Sequence, residues 1–221
     1  MKDNMEQQAP AISWRVDEWF PDLDKEVGKK LKVFHEELLK HSKTINLVSL
    51  KTLPFSDALH FADSILACRI IYKNMNGATE IYDIGSGAGF PGVIFAILYP
   101  NVKVFLVDND SRKTEFLSGL VKLLGLKNIE IVTKSVDALP ENSIKVAMAR
   151  GFASISKVCL ALRRSVVKGG TFYHLKSEEW GIEVGEMPSQ LCSIWMPSLV
   201  GEYKLPVGGV RFGVVKTDKI A

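Results

Sequence analysis

A stretch of ten residues, Asp83-Ile-Gly-Ser-Gly-Ala-Gly-Phe-Pro-Gly92, restricts the folds open to this chain more than any other feature. An apolar run of strand character, Glu80–Ile84, leads into it, and a run of helical character, Gly92–Leu98, leaves it. Gly85, Gly87 and Gly89 take side chains out of a tight turn and let the backbone lie directly against a ligand. The strand-to-helix rhythm then repeats. Further strands are expected at Val102–Val107, Ile129–Val132, Ile144–Ala149 and Gly170–Leu175, with helices at Arg112–Leu124 and Ile155–Val167. Such alternation predicts an α/β fold, a mostly parallel sheet with helices on both faces. The tail breaks the rhythm. Gln190–Val200 and Val210–Lys216 read as two successive strands around Leu205-Pro-Val-Gly-Gly209, an antiparallel hairpin that closes one edge and brings the sheet to seven strands.

Helices precede the first strand. Val27, Leu31, Phe34 and Leu38 lie on one face of a helix over Asp24–His41, with Asp22 or Asp24 as its cap. A second helix is expected from Pro54, burying Phe55, Leu59, Ala62 and Leu66 and leaving His60, Asp63 and Ser64 on the other side. The predicted organisation is a mobile polar leader over residues 1–10, an N-terminal helical extension over 11–76 and a ligand-binding core over 77–221. At 221 residues and 47% hydrophobic, the chain can bury a core without disulfides. Cys68, Cys159 and Cys192 are widely spaced among apolar residues and are expected as buried, reduced thiols, which fits a cytoplasmic protein. No run approaches the roughly 18 apolar residues of a membrane span, and no metal-ligand spacing is present. The net charge of +3 permits a polyanionic partner without arguing for one.

Open parallel sheets bind ligands beyond the carboxyl ends of their strands. A dinucleotide site prefers Gly-x-Gly-x-x-Gly, ending on a helix amino terminus that receives the pyrophosphate. Here Phe90 stands where the last glycine is needed, and Asp83 would repel the anion. An acid there suits a ligand with a cationic ammonium, such as the methionine part of S-adenosylmethionine; its other reading is a carboxylate that caps the turn. Asp108 ends the next strand, about 20 residues past the glycines, where a carboxylate accepts from ribose hydroxyls or else caps the following helix. In Lys134-Ser-Val-Asp137, Ser135 and Val136 are placed to read an adenine edge.

These residues resemble the family of small-subunit ribosomal RNA methyltransferases that make 7-methylguanosine, also called glucose-inhibited division protein B. The carriers are Asn46-Leu-Val-Ser49, His60-Phe-Ala-Asp63-Ser64, the loop with its Phe-Pro-Gly close, Leu106-Val-Asp108, Lys113, Phe116-Leu117, Leu124-Gly-Leu-Lys-Asn128, Ala149-Arg150-Gly-Phe-Ala153 and Lys176. The resemblance implies a class I, Rossmann-like methyltransferase fold, S-adenosylmethionine as donor and a guanine of 16S rRNA as acceptor, in the small subunit or an assembly precursor. It places Asp83, Gly85, Ser86, Gly87, Gly89, Phe90, Asp108, Ser135, Val136 and Arg150 around the cofactor. Arg150 and Lys176 become the catalytic candidates, and Arg150, Lys176 and Arg211 the RNA candidates. Three positions, Ser135, Gly151 and Ser177, depart from the family pattern. The alternatives are a methyltransferase of the same fold with a small-molecule or protein substrate, and a nicotinamide-dependent oxidoreductase.

The chemistry sets the roles. Nitrogen-7 of guanine carries a lone pair and no proton, so no general base is required. Arginine can grip guanine's acceptor edge bidentately or hold a phosphate, or Arg150 pairs with a helix carboxylate. Lys176 reaches phosphate or solvent, and Phe90 and Phe152 stack or join the core. His60, Asp63 and Ser64 sit too close along one helix to form a hydrolytic triad. They are expected, with Asn46 and Ser49, to join the helical extension to the cofactor loop. Lys29, Lys30, Lys32, Lys40, Lys43 and Lys51, and later Arg163, Arg164, Lys168, Lys204, Arg211, Lys216 and Lys219, supply scattered positive charge.

Overall fold

The computed structural model describes residues 12–221; the expected leader at 1–10 lies outside them. The extension consists of α1 (Val16–Trp19), α2 (Lys25–His41), a 3-10 turn (Leu53–Phe55), a π-helical stretch (Asp57–Ala62) and α3 (Asp63–Asn74). Asp24 caps α2, its side chain accepting from the Glu26 amide at 2.7 Å. Leu31, Phe34 and Leu38 are buried as the spacing requires.

The second helix differs from the expected one. A π turn holds more residues than the 3.6 of an α-helix, so it rotates the buried face. Phe55 becomes exposed, while Asp57, Ala58, Phe61, Asp63 and Ser64 turn inward. Burying carboxylates requires partners. Asp57 finds them in Arg15, whose Nε donates at 2.8 Å, and in the Ala58 amide at 2.8 Å.

Seven strands follow: β1 (Glu80–Ile84), β2 (Lys103–Asp108), β3 (Ile129–Thr133), β4 (Ile144–Arg150), β5 (Val166–Ser177), β6 (Trp195–Lys204) and β7 (Arg211–Lys219). Between them run α4 (Gly92–Leu98), α5 (Ser111–Leu123), α6 (Ile155–Leu162), α7 (Trp180–Gly185) and α8 (Ser189–Cys192). The helix after β4 therefore stops at Leu162, not Val167, because β5 begins at Val166. The segment expected as a strand from Gln190 is first a helical turn; the strand starts at Trp195, the residue that is fully buried. Cys68 and Cys159 are buried, but Cys192 is exposed on that turn.

The strand order is β3-β2-β1-β4-β5-β7-β6. β1 pairs in parallel with β2 on one side and β4 on the other, so the order reverses between β1 and β4. β7 is antiparallel to both β5 and β6, which separates this sheet from the all-parallel 3-2-1-4-5-6 order of dinucleotide folds. One core, built around Phe34, Phe61, Phe90 and Leu106, joins the extension to one face of the sheet. A second, around Ile155, Leu162, Phe172 and Trp195, packs α6 to α8 on the other.

Candidate active site

A cleft of about 430 Å³ opens at the reversal point, lined by Gly85, Gly87, Asp108, Lys113, Ser135, Val136, Asp137, Phe152 and Ala161 among others. A cavity of about 590 Å³ adjoins it, sharing Asp137 and Ala161 and running toward Arg163 and Ser165 near the other ends of β4 and β5; position at the glycine loop, not size, selects the first. The turn is tied down by Val107, whose carbonyl accepts from the amides of Gly85 at 2.8 Å and Ser86 at 3.0 Å. Gly85 sits at φ +70 with the Phe152 ring against it, so an added Cβ would lie 2.5 Å from Phe152 Cδ2. Any other residue there would have to displace the half-exposed Phe152 ring and adopt a strained backbone.

Asp108 is on the wall. Its Oδ2 accepts from the Gly87 amide at 2.8 Å and its Oδ1 from the Asp110 amide at 2.9 Å. Two fixed amides hold the carboxylate in one orientation and leave further lone pairs for hydroxyl groups in the cleft. Asp110 caps α5, accepting from the Arg112 amide at 3.0 Å. Lys113, Asn109, Asp137, Gly151 and Ala161 also line the cleft. Asn109, Asp137 and Gly151 adjoin Asp108, Val136 and Arg150 in the sequence, and Lys113 is among the carriers of the resemblance, while no spacing marks Ala161.

Asp83 is not on the wall. It is fully buried, and its Oδ2 accepts from the Gly92 amide at 3.0 Å at the start of α4. Its Oδ1 has no hydrogen-bond partner among the described residues. Burial pushes its pKa up to about 7, against the opposing pull of the Gly92 and Ser86 hydrogen bonds and of Arg150. Gly92 must be glycine, since a Cβ there would lie 2.4 Å from Asp83 Oδ2. Asp83 thus caps the start of α4 through Oδ2.

Phe90 is likewise core. Its ring stacks on Phe34 at 4.8 Å between centroids and meets Phe61 edge-on at 5.0 Å. The bulky close of the glycine loop is thereby the socket for the helical extension. His60 joins it, its ring 5.4 Å from Phe90.

Arg150 points into this junction. Nη1 donates to the Leu59 carbonyl at 2.9 Å and to Asp63 Oδ2 at 2.9 Å, and Nη2 donates to His60 Nδ1 at 3.0 Å. The guanidinium also lies 5.3 Å from the Phe90 ring centre. A guanidinium only donates, so His60 Nδ1 carries no proton and the ring's proton sits on Nε2. Nε2 donates to Thr52 Oγ1 at 3.1 Å, and that hydroxyl donates to the Ser49 carbonyl at 2.8 Å. Burial, reinforced by Arg150, brings the His60 pKa down to about 3 and keeps the ring neutral. Asp63 Oδ1 accepts from the Tyr203 hydroxyl at 2.6 Å. Tyr203, from β6, is a site residue that sequence spacing could not reveal.

The remaining expectations divide. Asn46 is exposed, Ser49 takes part through its carbonyl only, and the buried Ser64 hydroxyl has no partner among the described residues. None of the three is hydrogen-bonded to the cofactor loop, so that expectation is corrected for them. Lys176 is not free for phosphate. Its Nζ donates to the Ala153 carbonyl at 2.7 Å and pairs with Glu183 at 2.9 Å, while Glu183 accepts from the Ile155 amide at 2.9 Å. Arg211 is exposed at the start of β7. Among the described residues no group of three or more His, Cys, Asp or Glu is placed to hold a metal ion.

The sheet resembles solved methyltransferases: a chain from Geobacter sulfurreducens at 15% identity and TM-score 0.53, covering 96% of this chain and 98% of that one. An S-adenosylmethionine-dependent methyltransferase from Aquifex aeolicus matches at 17% identity and TM-score 0.51, over 68% and 88%. At these identities the likeness speaks to fold alone. Sequence relatives go further. Ribosomal RNA small subunit methyltransferase G 3 of Bdellovibrio bacteriovorus is 58% identical over 221 residues, all of both chains. Its namesake from Laribacter hongkongensis is 31% identical over 188 residues, 82% of this chain and 88% of its own. The family profile for rRNA small subunit methyltransferase G matches residues 28–195. The chain belongs to the rRNA small subunit methyltransferase G family.

Proposed function

We propose that this protein transfers the methyl group of S-adenosylmethionine to nitrogen-7 of a guanine in 16S rRNA, and that the cofactor occupies the Gly85–Ala161 cleft. One observation carries the assignment: Asp108 stands on the wall of a cleft at the reversal point, its carboxylate fixed by two backbone amides. A volume of about 430 Å³ is within the range of small-molecule sites, roughly 300–1,000 Å³. Asp108 receives the ribose hydroxyls, Gly85 and Gly87 admit the methionine limb, and Ser135 and Val136 face the adenine. The cofactor supplies a methyl group already activated on a sulfonium.

The protein's part is alignment. No proton has to leave nitrogen-7, and the neutral His60 is spent between Arg150 and Thr52. Holding nucleophile and methyl in line is worth up to about 7–11 kcal/mol in the best oriented cases. Arg150 serves by holding residues 57–63 of the extension against Phe90, and Lys176 by clamping the Ala153–Ile155 segment that follows β4. Both are positioning residues in this reading. Residues 77–221 form the cofactor-binding core, and 11–76 the extension that braces its loop.

A pyrophosphate is disfavoured at this loop, because Asp83 already fills the amino terminus of α4. The small ribosomal subunit or its assembly precursor, in the cytoplasm, is the partner. No helix among the described residues is long and apolar enough to cross a membrane. Tritium transfer from labelled cofactor to small-subunit particles, with mass mapping of the modified nucleotide, tests the proposal. Transfer to a protein or small molecule with none to rRNA would overturn it.

A further inference from the structure

We propose that Phe152 is the platform on which the acceptor guanine stacks, and that its ring favours the positive charge guanine acquires on methylation. The proposal rests on the rRNA methyltransferase reading above. Phe152 lies in the turn at 151–154 between β4 and α6, on the wall of the cleft. Other large apolar side chains are exposed, Phe55, Tyr72 and Leu160 among them, but of these exposed residues only Phe152 lines the cleft. Phe90 is enclosed by the core, whereas the Phe152 side of the cleft keeps a ring that is 40% exposed.

The pose of the ring suits a planar partner. From the direction of a Gly85 Cβ, Phe152 Cδ2 is 2.5 Å away and the two atoms bonded to it, Cγ and Cε2, are both at 3.3 Å. A point over the ring face would meet several carbons at similar distances. The ring therefore turns an edge to the glycine loop, and its faces stand up from that loop.

Both ends of the turn are pinned. Arg150, immediately before it, donates to Leu59, His60 and Asp63. Beyond Phe152, the Ala153 carbonyl accepts from Lys176 at 2.7 Å, and the Ile155 amide donates to Glu183 at 2.9 Å. The two residues read above as positioning groups thus flank Phe152, and what they position is its ring. A surface fixed in advance loses little freedom when a partner settles on it.

An enzyme that modifies a base in folded nucleic acid takes that base out of its stack, and an aromatic side chain replaces the lost stacking. Nitrogen-7 then donates its lone pair to the methyl carbon. The carbon–sulfur bond breaks with its electron pair kept by sulfur, and the positive charge passes to guanine. No proton moves. The face of an aromatic ring attracts a cation, so the contact strengthens as the charge arrives. Contacts that are stronger in the transition state than in the ground state raise kcat.

The test begins with Phe152→Leu, which keeps an apolar side chain and removes the ring. Its kcat/KM for methyl transfer to small-subunit particles should fall about five- to 150-fold, the usual worth of one stacked base. S-adenosylhomocysteine affinity, by calorimetry, should stay nearly native, and Phe152→Tyr should restore most of the activity. Phenylalanine analogues of increasing fluorination, placed at 152, keep the shape and drain the negative face of the ring; kcat should fall stepwise along that series. Native kcat/KM in Phe152→Leu, or kcat indifferent to fluorination, would overturn the proposal. Equal losses of cofactor affinity and methyl transfer in Phe152→Leu would also overturn it, by assigning the ring to the cofactor. So would a loss of affinity for S-adenosylmethionine alone, which would place the ring on the sulfonium. Failure of the underlying reading shows separately, as absence of methyl transfer to rRNA by the native protein.

Discussion

Asp83→Asn isolates the enclosed carboxylate. Its pKa stands at about 7 in the folded protein against an ordinary value of 3.8. Between these limits the folded state holds a proton that the unfolded chain releases. The group's stabilising contribution is therefore complete below about pH 4 and is lost as pH rises to 7. Each pH unit in that window corresponds to about 1.4 kcal/mol. Between pH 5 and pH 8 the native protein should lose about 3 kcal/mol through Asp83, the two units from 5 to 7. Asparagine cannot titrate, and its amide oxygen can still accept from Gly92. The difference in unfolding free energy between variant and native protein should therefore shift by about 3 kcal/mol in favour of asparagine between pH 5 and pH 8. Every other titrating group cancels in that difference. Urea unfolding at several pH values measures it, provided the slopes agree between the two proteins. A pH-independent difference would refute the burial argument. Calorimetry with S-adenosylhomocysteine adds a second check: a turn cap predicts nearly native affinity, whereas a direct ammonium contact predicts a large loss.

Asp108→Ala removes an ionised acceptor from the cleft wall. It should weaken S-adenosylhomocysteine binding by about 1.5–3 kcal/mol, roughly ten- to a hundredfold, by calorimetry. Arg150→Met leaves Asp63 buried with Tyr203 as its remaining side-chain partner, and such broken pairs cost about 3–5 kcal/mol. The double variant Arg150→Met/Asp63→Asn should recover part of that loss in the same urea assay, and a double variant weaker than the single would contradict the pairing. In the native protein iodoacetamide should label Cys192 alone. Burial raises the Cys159 pKa to about 11 and the Cys68 pKa well above its usual 9, so mass spectrometry should find these two modified only after unfolding.

The parts of the fold that were legible before the structure are those set by local rules. Glycine spacing marks the turn, and alternation of periods marks strands and helices. The misplaced face of the second helix has a local cause too. A 3-10 turn followed by a π stretch breaks the 3.6-residue period on which the reading depends, so Phe55 faces out and Asp63 in. The site was legible in membership more than in role. Arg150 meets Asp63 across 87 positions, and Tyr203 meets the same carboxylate across 140. No spacing rule reaches that far. Lys176 reads as a strand-end lysine until α7 brings Glu183 beneath it. Asp108 was the easier case, because its partners, Gly87 and Asp110, belong to the same pair of loops.

Two acids at the ends of neighbouring strands give one glycine loop two different surroundings. β1 and β2 pair in register from Glu80 with Lys103 to Ile84 with Val107, so Asp83 and Asp108 emerge close together yet meet opposite surroundings. Asp83 turns toward α4, where the Gly92 amide and the Phe90 core enclose it, and it satisfies the helix end that would otherwise attract a phosphate. Asp108 turns toward the cleft with both oxygens tied to backbone amides, leaving acceptors for a neutral hydroxyl pair. The extension completes the arrangement. By packing Phe34 and Phe61 on Phe90, it makes the residue after the last glycine a structural ridge. Arg150 then ties that ridge to the end of β4 through Leu59, His60 and Asp63. The loop is therefore two-sided: its glycine backbone faces the cleft, and its Phe-Pro close faces the helices that hold it still.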